Sequence, residues 1–256
     1  MARLRHTDWP DRLWIVRHGQ SAGNVARDRA ELAQDHLIEL QTRDADTPLS
    51  ALGQEQARAL GQWFARLPPE QRPTTLMSSP FVRSRQTMEA VARALGTRPD
   101  DVLVDERLRE KEFGVLDGYT TAGIRARFPE LAAQRASVGK FYFRPPGGES
   151  WCDVILRLRS ALDTISLHHG GQRVLVVSHQ VVVLCLRYLL EGMTEDEILA
   201  IDRDGDVANC AVTEYAFDPA QGHSGRMRLK RYNFVAPLAE AGAPLTSEPD
   251  ANLAVR

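Results

Sequence analysis

Cysteine is scarce in this chain. The 256 residues hold three, Cys152, Cys185 and Cys210, far apart and odd in number. They form no C-x-x-C pair and no metal-ligand spacing, so neither a disulfide framework nor a zinc site is indicated, and buried free thiols in a reducing compartment are expected. Long apolar runs are missing as well. The longest, Val181–Leu186, is far too short to cross a bilayer, and no apolar h-region follows the charged start at Met1. A cytoplasmic protein without a membrane segment is the expectation. Neither sign of charge dominates, with 32 Lys plus Arg against 34 Asp plus Glu. No basic block and no basic stripe interleaved with aromatics occurs, so a nucleic-acid partner is not expected. P-loop and dinucleotide fingerprints are absent, which removes support for a nucleotide-dependent enzyme. Gly222-His-Ser-Gly225 lacks nucleophile-elbow spacing, so a serine hydrolase is not supported either.

What is present suits one large domain. The hydrophobic fraction of 43% is ordinary for a globular protein. A single domain over 1–236 is expected, followed by a tail, 237–256, rich in Ala, Pro, Gly and Glu and with little order of its own. The organising stretch is Leu13–Asn24. Its first part, Leu13 to Val16, is a run of β-formers that predicts a buried strand, and Gly19 offers a sharp turn after it. Arg17 and His18 thus stand at the carboxyl end of a strand, where open α/β sheets place their ligand crevice. Taken alone, the pair also reads as surface charge at a strand end.

The rest of the chain alternates strand and helix. Val25–Asp46 is polar and only partly helical in pattern; it reads equally as a solvated insertion or as a segment shaping entry to a site. Ser50 is a candidate N-cap for a helix whose apolar face runs through Leu52, Ala57, Leu60, Phe64 and Leu67. Thr75–Ser79 predicts a strand, with Pro80 opening a helix that carries Arg83. Val102–Val104 predicts another strand. Glu110 and Glu112 follow, each readable on its own as a solvated loop charge. Ser150 caps a helix with a core stripe at Trp151, Val154, Ile155, Leu158, Leu162 and Ile165. Arg173–Ser178 is a second apolar strand ending in a histidine, His179, so two strand ends can deliver imidazoles to one crevice. A buried helix over Val181–Leu190, a capping box at Thr194–Glu197 and a strand pair over Asn209–Phe217 and Met227–Phe234 complete the pattern.

Four segments, in order, carry a resemblance. They are Arg17-His-Gly-x-Ser-x-x-Asn24, Pro48-Leu-Ser-x-x-Gly-x-x-Gln-Ala57, Ser79-Pro-x-x-Arg-x-x-Gln-Thr87 and Leu108-x-Glu-x-x-x-Gly-x-x-Asp-Gly118. With Ser178-His179, they make the chain, over roughly residues 12–217, similar to the histidine phosphatase (phosphoglycerate mutase-like) superfamily. The resemblance implies an α/β fold, a three-layer α/β/α sandwich with a mostly parallel central sheet. It implies that His18 carries a phosphoryl group, that Arg17 and Arg83 bind phosphate, that Glu110 is the general acid and base, and that His179 donates a hydrogen bond to a transferring oxygen. Asn24, Gln20, Gln180, Tyr142 and Arg144 fall among the implied substrate-binding positions, and no metal or cofactor is implied.

Departures narrow the reading. Gln180 stands where the family usually has glycine, which together with Tyr142, Arg144 and Gly148-Glu-Ser150 looks like the fructose-2,6-bisphosphatase branch. That branch has basic residues at the positions of Gly147 and Leu184, and the mutase branch has a tryptophan at Gly23. The implied activity is a metal-independent phosphomonoester hydrolase acting on a small phosphorylated metabolite. Mutase or fructose-2,6-bisphosphatase activity and a phospho-ligand-binding pseudoenzyme are the alternatives, and a homodimer is left open.

Overall fold

Neighbouring residues of the first strand face opposite ways, and the layering follows from that. Leu13 and Ile15 join one buried apolar cluster, whereas Trp14 and Val16 join another. In the strand Arg173–Ser178, Val174 and Val176 join the first cluster and Leu175 and Val177 the second. Strands apolar on both faces need a covering layer on each.

The computed structural model describes residues 9–221 and 225–247. Strands β1 (Arg12–Arg17), β2 (Thr75–Ser78), β3 (Leu103–Val104), β4 (Arg173–Ser178), β5 (Val212–Asp218) and β6 (Arg226–Phe234) form one sheet in the order β3-β2-β4-β1-β5-β6. β3, β2, β4 and β1 pair in parallel, and β5 runs antiparallel to both its neighbours. The helices are α1 (Ala22–Leu32), α2 (Ala51–Arg66), α3 (Val82–Leu95), α4 (Thr121–Arg127), α5 (Pro129–Val138), α6 (Trp151–His168), α7 (Gln180–Glu191), α8 (Glu195–Asp204) and α9 (Ala236–Ala241). α6, α7 and α8 supply the first cluster, while α2, α3 and α9 supply the second. The mostly parallel sheet between two helical layers agrees with the expected fold class.

Local signals carried through. Ser50 accepts from Gly53 N at 3.0 Å, and capping boxes close on Ser150 with Asp153 and on Thr194 with Glu197. Cys185 and Cys210 are buried and Cys152 half-buried, none of them in a disulfide. No helix among the described residues is long and apolar enough to cross a membrane.

Two expectations need correction. Gly19 is required for closeness rather than for a turn conformation, since a Cβ there would lie 2.6 Å from the Gly53 carbonyl oxygen. The tail does not lose its order at Pro237. Residues 236–241 form α9, with Leu238 fully buried in the second cluster, and Pro244 and Thr246 are hydrogen-bonded to Gln56 of α2. Proline at a helix start and apolar packing outweigh the tail's composition. Residues 248–256, 1–8 of the N-terminal arm and 222–224 of the rejected elbow stretch lie outside the described residues.

Candidate active site

Strand register brings the two histidines together. β1 and β4 pair in parallel with Arg17 opposite Ser178, so His18 and His179 leave the sheet side by side at its carboxyl edge. Both are fully buried, and their rings meet edge to face with centroids 5.1 Å apart.

The His18 tautomer follows from its neighbours. Nδ1 lies 2.7 Å from the Gly19 carbonyl oxygen, which can only accept, so the proton is on Nδ1 and Nε2 presents a lone pair. Arg83 Nε donates to that Nε2 at 3.1 Å. The turn is built tightly beneath them. Gly19 N donates to Thr87 Oγ1 at 3.1 Å, and Asn209 Nδ2 donates to the His18 carbonyl oxygen at 3.0 Å. Asn209 is in turn held by Thr246 of the tail.

Arg83 is the second residue of α3 and almost wholly buried. Its outer edge is not open toward a ligand. Nη1 donates to the Asp44 carbonyl oxygen at 2.6 Å, Nη2 donates to Asp44 Oδ2 at 3.1 Å, and Asp44 Oδ1 lies 3.0 Å from Nη1. The bidentate grip expected for phosphate is here made on a carboxylate. Arg17, the last residue of β1, is fully buried, and its Nη1 donates to the Val207 carbonyl oxygen at 2.6 Å.

His179 Nε2 is 2.8 Å from Ser79 Oγ and 3.3 Å from Ser84 Oγ, which fixes the ring plane. Glu110, 1% exposed, accepts from its neighbour Lys111 N at 2.7 Å and from Val181 N at 3.4 Å. Its carboxyl thus lies at the N-terminal end of α7, where backbone N–H groups favour negative charge. Gln180, the first residue of that helix, donates to Asp206 Oδ1 at 2.7 Å.

Asn24 accepts from Ser21 N and Ser21 Oγ, both at 2.9 Å, and lines a pocket of about 200 Å³ with Arg83, Arg27, Arg43, Asp44 and Asp117. Burial, reinforced by the Asp44 charge, pushes the Asp117 carboxyl up from its ordinary range. Gln20 is buried against α2, where its Oε1 accepts from Ser50 Oγ at 2.8 Å. Tyr142 and Arg144 are not brought to this cluster. Tyr142 is more than half exposed and faces Glu195, whose hydrogen bond raises its pKa, while Arg144 pairs with Asp153 at the start of α6. Neither shares a hydrogen bond or ion pair with His18, Arg17, Arg83, Glu110 or His179. Both follow a loop whose path the sequence pattern does not define.

Sequence reasoning missed Ser79, Thr87, Asn209 and Asp44. The first two lie inside the Ser79–Thr87 motif and were legible there as polar residues flanking Arg83. Asp44 has no local signal at all. Among the described residues, no group of three or more His, Cys, Asp or Glu side chains is arranged to hold a metal.

Known proteins resemble the chain over most of its length. A bifunctional protein of Mycobacterium tuberculosis is 31% identical over 211 residues, 82% of this chain but 52% of that protein, so the chain spans about half the length of the first curated relatives it matches. The probable phosphoglycerate mutase GpmB of Yersinia enterocolitica is 32% identical over 183 residues, covering 71% of this chain and 75% of that one. The solved structure of a mycobacterial glucosyl-3-phosphoglycerate phosphatase with inorganic phosphate superposes with a TM-score of 0.68 at 27% identity, over 89% of this chain and 99% of that one. The sequence model of the histidine phosphatase superfamily (branch 1) matches residues 13–230, which take in every strand of the sheet up to the middle of β6 and both histidines. A parallel pair of strands delivering two buried imidazoles, one of them beside Arg83 of α3, is what that match encloses, and the chain belongs to the histidine phosphatase superfamily.

Proposed function

We propose that the protein is a metal-independent phosphomonoester hydrolase that works through a phosphohistidine on His18. The observation that carries this reading is the His18 tautomer: Nδ1–H is committed to the Gly19 carbonyl, which leaves the Nε2 lone pair as nucleophile. Arg17 and Arg83 supply the charge that a phosphoryl group needs. In the first step His18 Nε2 bonds to phosphorus as the bond to the leaving oxygen breaks, and Glu110 gives that oxygen a proton. In the second, Glu110 takes a proton from water, whose oxygen bonds to phosphorus as the P–N bond breaks. His179 donates to a transferring oxygen as charge shifts onto it. Lys111 N and Val181 N hold the Glu110 carboxyl in one place, so the same group is at hand for both steps.

The substrate class is a small phosphorylated metabolite, as the names of the relatives suggest. The GpmB relative favours mutase-type transfer as a second reading. Against it, the position where the mutase branch carries a tryptophan is Gly23. The test is phosphate release from an aryl phosphate in EDTA, together with rapid quench of a labelled substrate. The parent should release phosphate and yield an acid-labile, base-stable phosphoprotein. His18→Ala should lose turnover by several orders of magnitude, form no phosphoprotein and keep its fold. Near-normal turnover by that variant would remove His18 from the chemistry.

A further inference from the structure

Arg83 is engaged at both edges before any substrate arrives. Its Nε–H covers the His18 Nε2 lone pair, and its outer nitrogens grip Asp44 through two carboxylate contacts and the main-chain carbonyl. Nucleophile and cation are therefore occupied with groups of the protein itself. Attack on phosphorus needs that lone pair uncovered, and phosphate binding needs that edge open.

Asp44 is well placed to give way. It belongs to a 3-10 turn, Asp44–Asp46, on a strap pinned at each end, by Ile38 N to the Gly118 carbonyl oxygen and by Ala22 N to the Pro48 carbonyl oxygen. Between these pins, residues 39–47 bond among themselves through Thr42, Arg43, Asp46 and Thr47. The hydrogen bonds that tie this stretch to the body of the protein run to Arg83. The Asp44 side chain is 42% exposed against 4% for Arg83, so a released carboxylate meets water at the pocket mouth at little desolvation cost.

We propose that Asp44 is a resident counter-anion that the substrate's phosphate displaces from Arg83, with the exposed and half-buried stretch 39–46 turning outward as it does while the buried Thr47 stays in place. The inference rests on the phosphatase reading above and adds a residue that sets the site's affinity. A dianion with three oxygens outcompetes a single carboxylate for the guanidinium fork. The carboxylate returns after turnover and expels product phosphate. Asp44 thereby weakens binding of substrate and product alike.

The test compares Asp44→Asn and Asp44→Ala with the parent and with Asp46→Asn, which alters only the surface pair to Arg43. Inorganic phosphate affinity is measured by calorimetry, and kcat and KM with an aryl phosphate. Both Asp44 variants should bind phosphate about 10-fold more tightly, as expected for loss of one charge-assisted competitor, and raise kcat/KM through KM without raising kcat. Asp46→Asn should match the parent within about twofold. Unchanged or weaker phosphate binding in both Asp44 variants overturns the proposal and makes Asp44 a fixed support for Arg83. Failure of the parent to hydrolyse the ester would instead remove the phosphatase reading, while the phosphate affinities still decide this one.

Discussion

At the scale of single residues, the site depends on which groups are held and which are left to act. Glu110 is the sharpest case, buried and bonded by backbone donors, and it is the proton carrier of the proposed mechanism. Glu110→Gln keeps the size and one acceptor oxygen but removes the acid. It should slow alkoxide leaving groups by about 10²–10⁴ and spare an aryl phosphate, whose leaving group needs little protonation. Equal loss on both substrates, read from kcat/KM, would move the acid role elsewhere, with Glu112 the first alternative. The neighbouring Lys111 poses a different problem. Its Nζ is buried, 4.4 Å from the centre of the Phe113 ring and without a hydrogen-bond partner among the described residues, and burial lowers its pKa to about 8 against the opposing pull of Glu110. Between that value and the ordinary 10.5 the unfolded chain binds more protons, so this residue makes stability rise with pH across that window. Below pH 8 the full penalty, ~3 kcal/mol, is present. Lys111→Met should therefore raise the melting temperature at pH 7 and flatten the rise at alkaline pH. A variant that melts lower than the parent at pH 7 would show that contact with Phe113 outweighs desolvation.

At the scale of elements, the site is a joint among pieces far apart in the chain. The turn after β1 rests on the start of α2, where a Cβ at Gly53 would lie 1.9 Å from the Gln20 carbonyl oxygen. Backbone cannot yield as a flexible side chain would. Gly53→Ala should destabilise the protein by about 1–3 kcal/mol and lower kcat/KM by displacing His18, measured as a melting shift alongside kinetics. Loss of stability with unchanged kinetics would show that the turn adjusts on its own. The tail continues this support. Gln56 accepts from Gln20 N and donates to Pro244 and Thr246, and Thr246 holds Asn209, which donates to His18. The second segment of the motif, Pro48–Ala57, is thus a foundation for the first rather than a part of the chemistry.

At the scale of the whole molecule, the sheet order puts β4 between β1 and β2, so helices from both layers converge on one carboxyl edge: α3 brings Arg83, and α7 begins beside Glu110. What surrounds that edge decides the substrate. Leu184 is buried in the first core cluster and Gly147 occupies a left-handed turn at φ +72°, so neither position offers charge to a second phosphate. Two missing charge-assisted contacts at about 1.5–3 kcal/mol each amount to two orders of magnitude or more in affinity. Fructose 2,6-bisphosphate should accordingly be a poor substrate, with a sugar monophosphate doing as well or better in kcat/KM. Arg27 and Arg43 line the pocket beside Arg83 and are the groups through which a bisphosphate could regain affinity. A bisphosphate preference above about a hundredfold would overturn the prediction.

The sequence by itself determined what is local and periodic. The apolar strands, the caps at Ser50, Ser150 and Thr194, and the order of motif segments follow from backbone hydrogen bonding and burial, which repeat over a few residues. His18 and His179 were legible as strand-end residues for the same reason. Tertiary structure alone decided their meeting, because register between β1 and β4 joins residues 161 positions apart in the numbering. It decided that Arg83 grips Asp44, since the path of the 39–47 strap depends on its pins at Gly118 and Ala22 rather than on its own sequence. It packed Leu238 into the core and hydrogen-bonded Pro244 and Thr246 to Gln56 against the tail's composition, and left Tyr142 and Arg144 on the surface with partners of their own. In each case a side chain was placed by what the rest of the chain set beside it, and such long-range contacts carry no periodic signal in sequence.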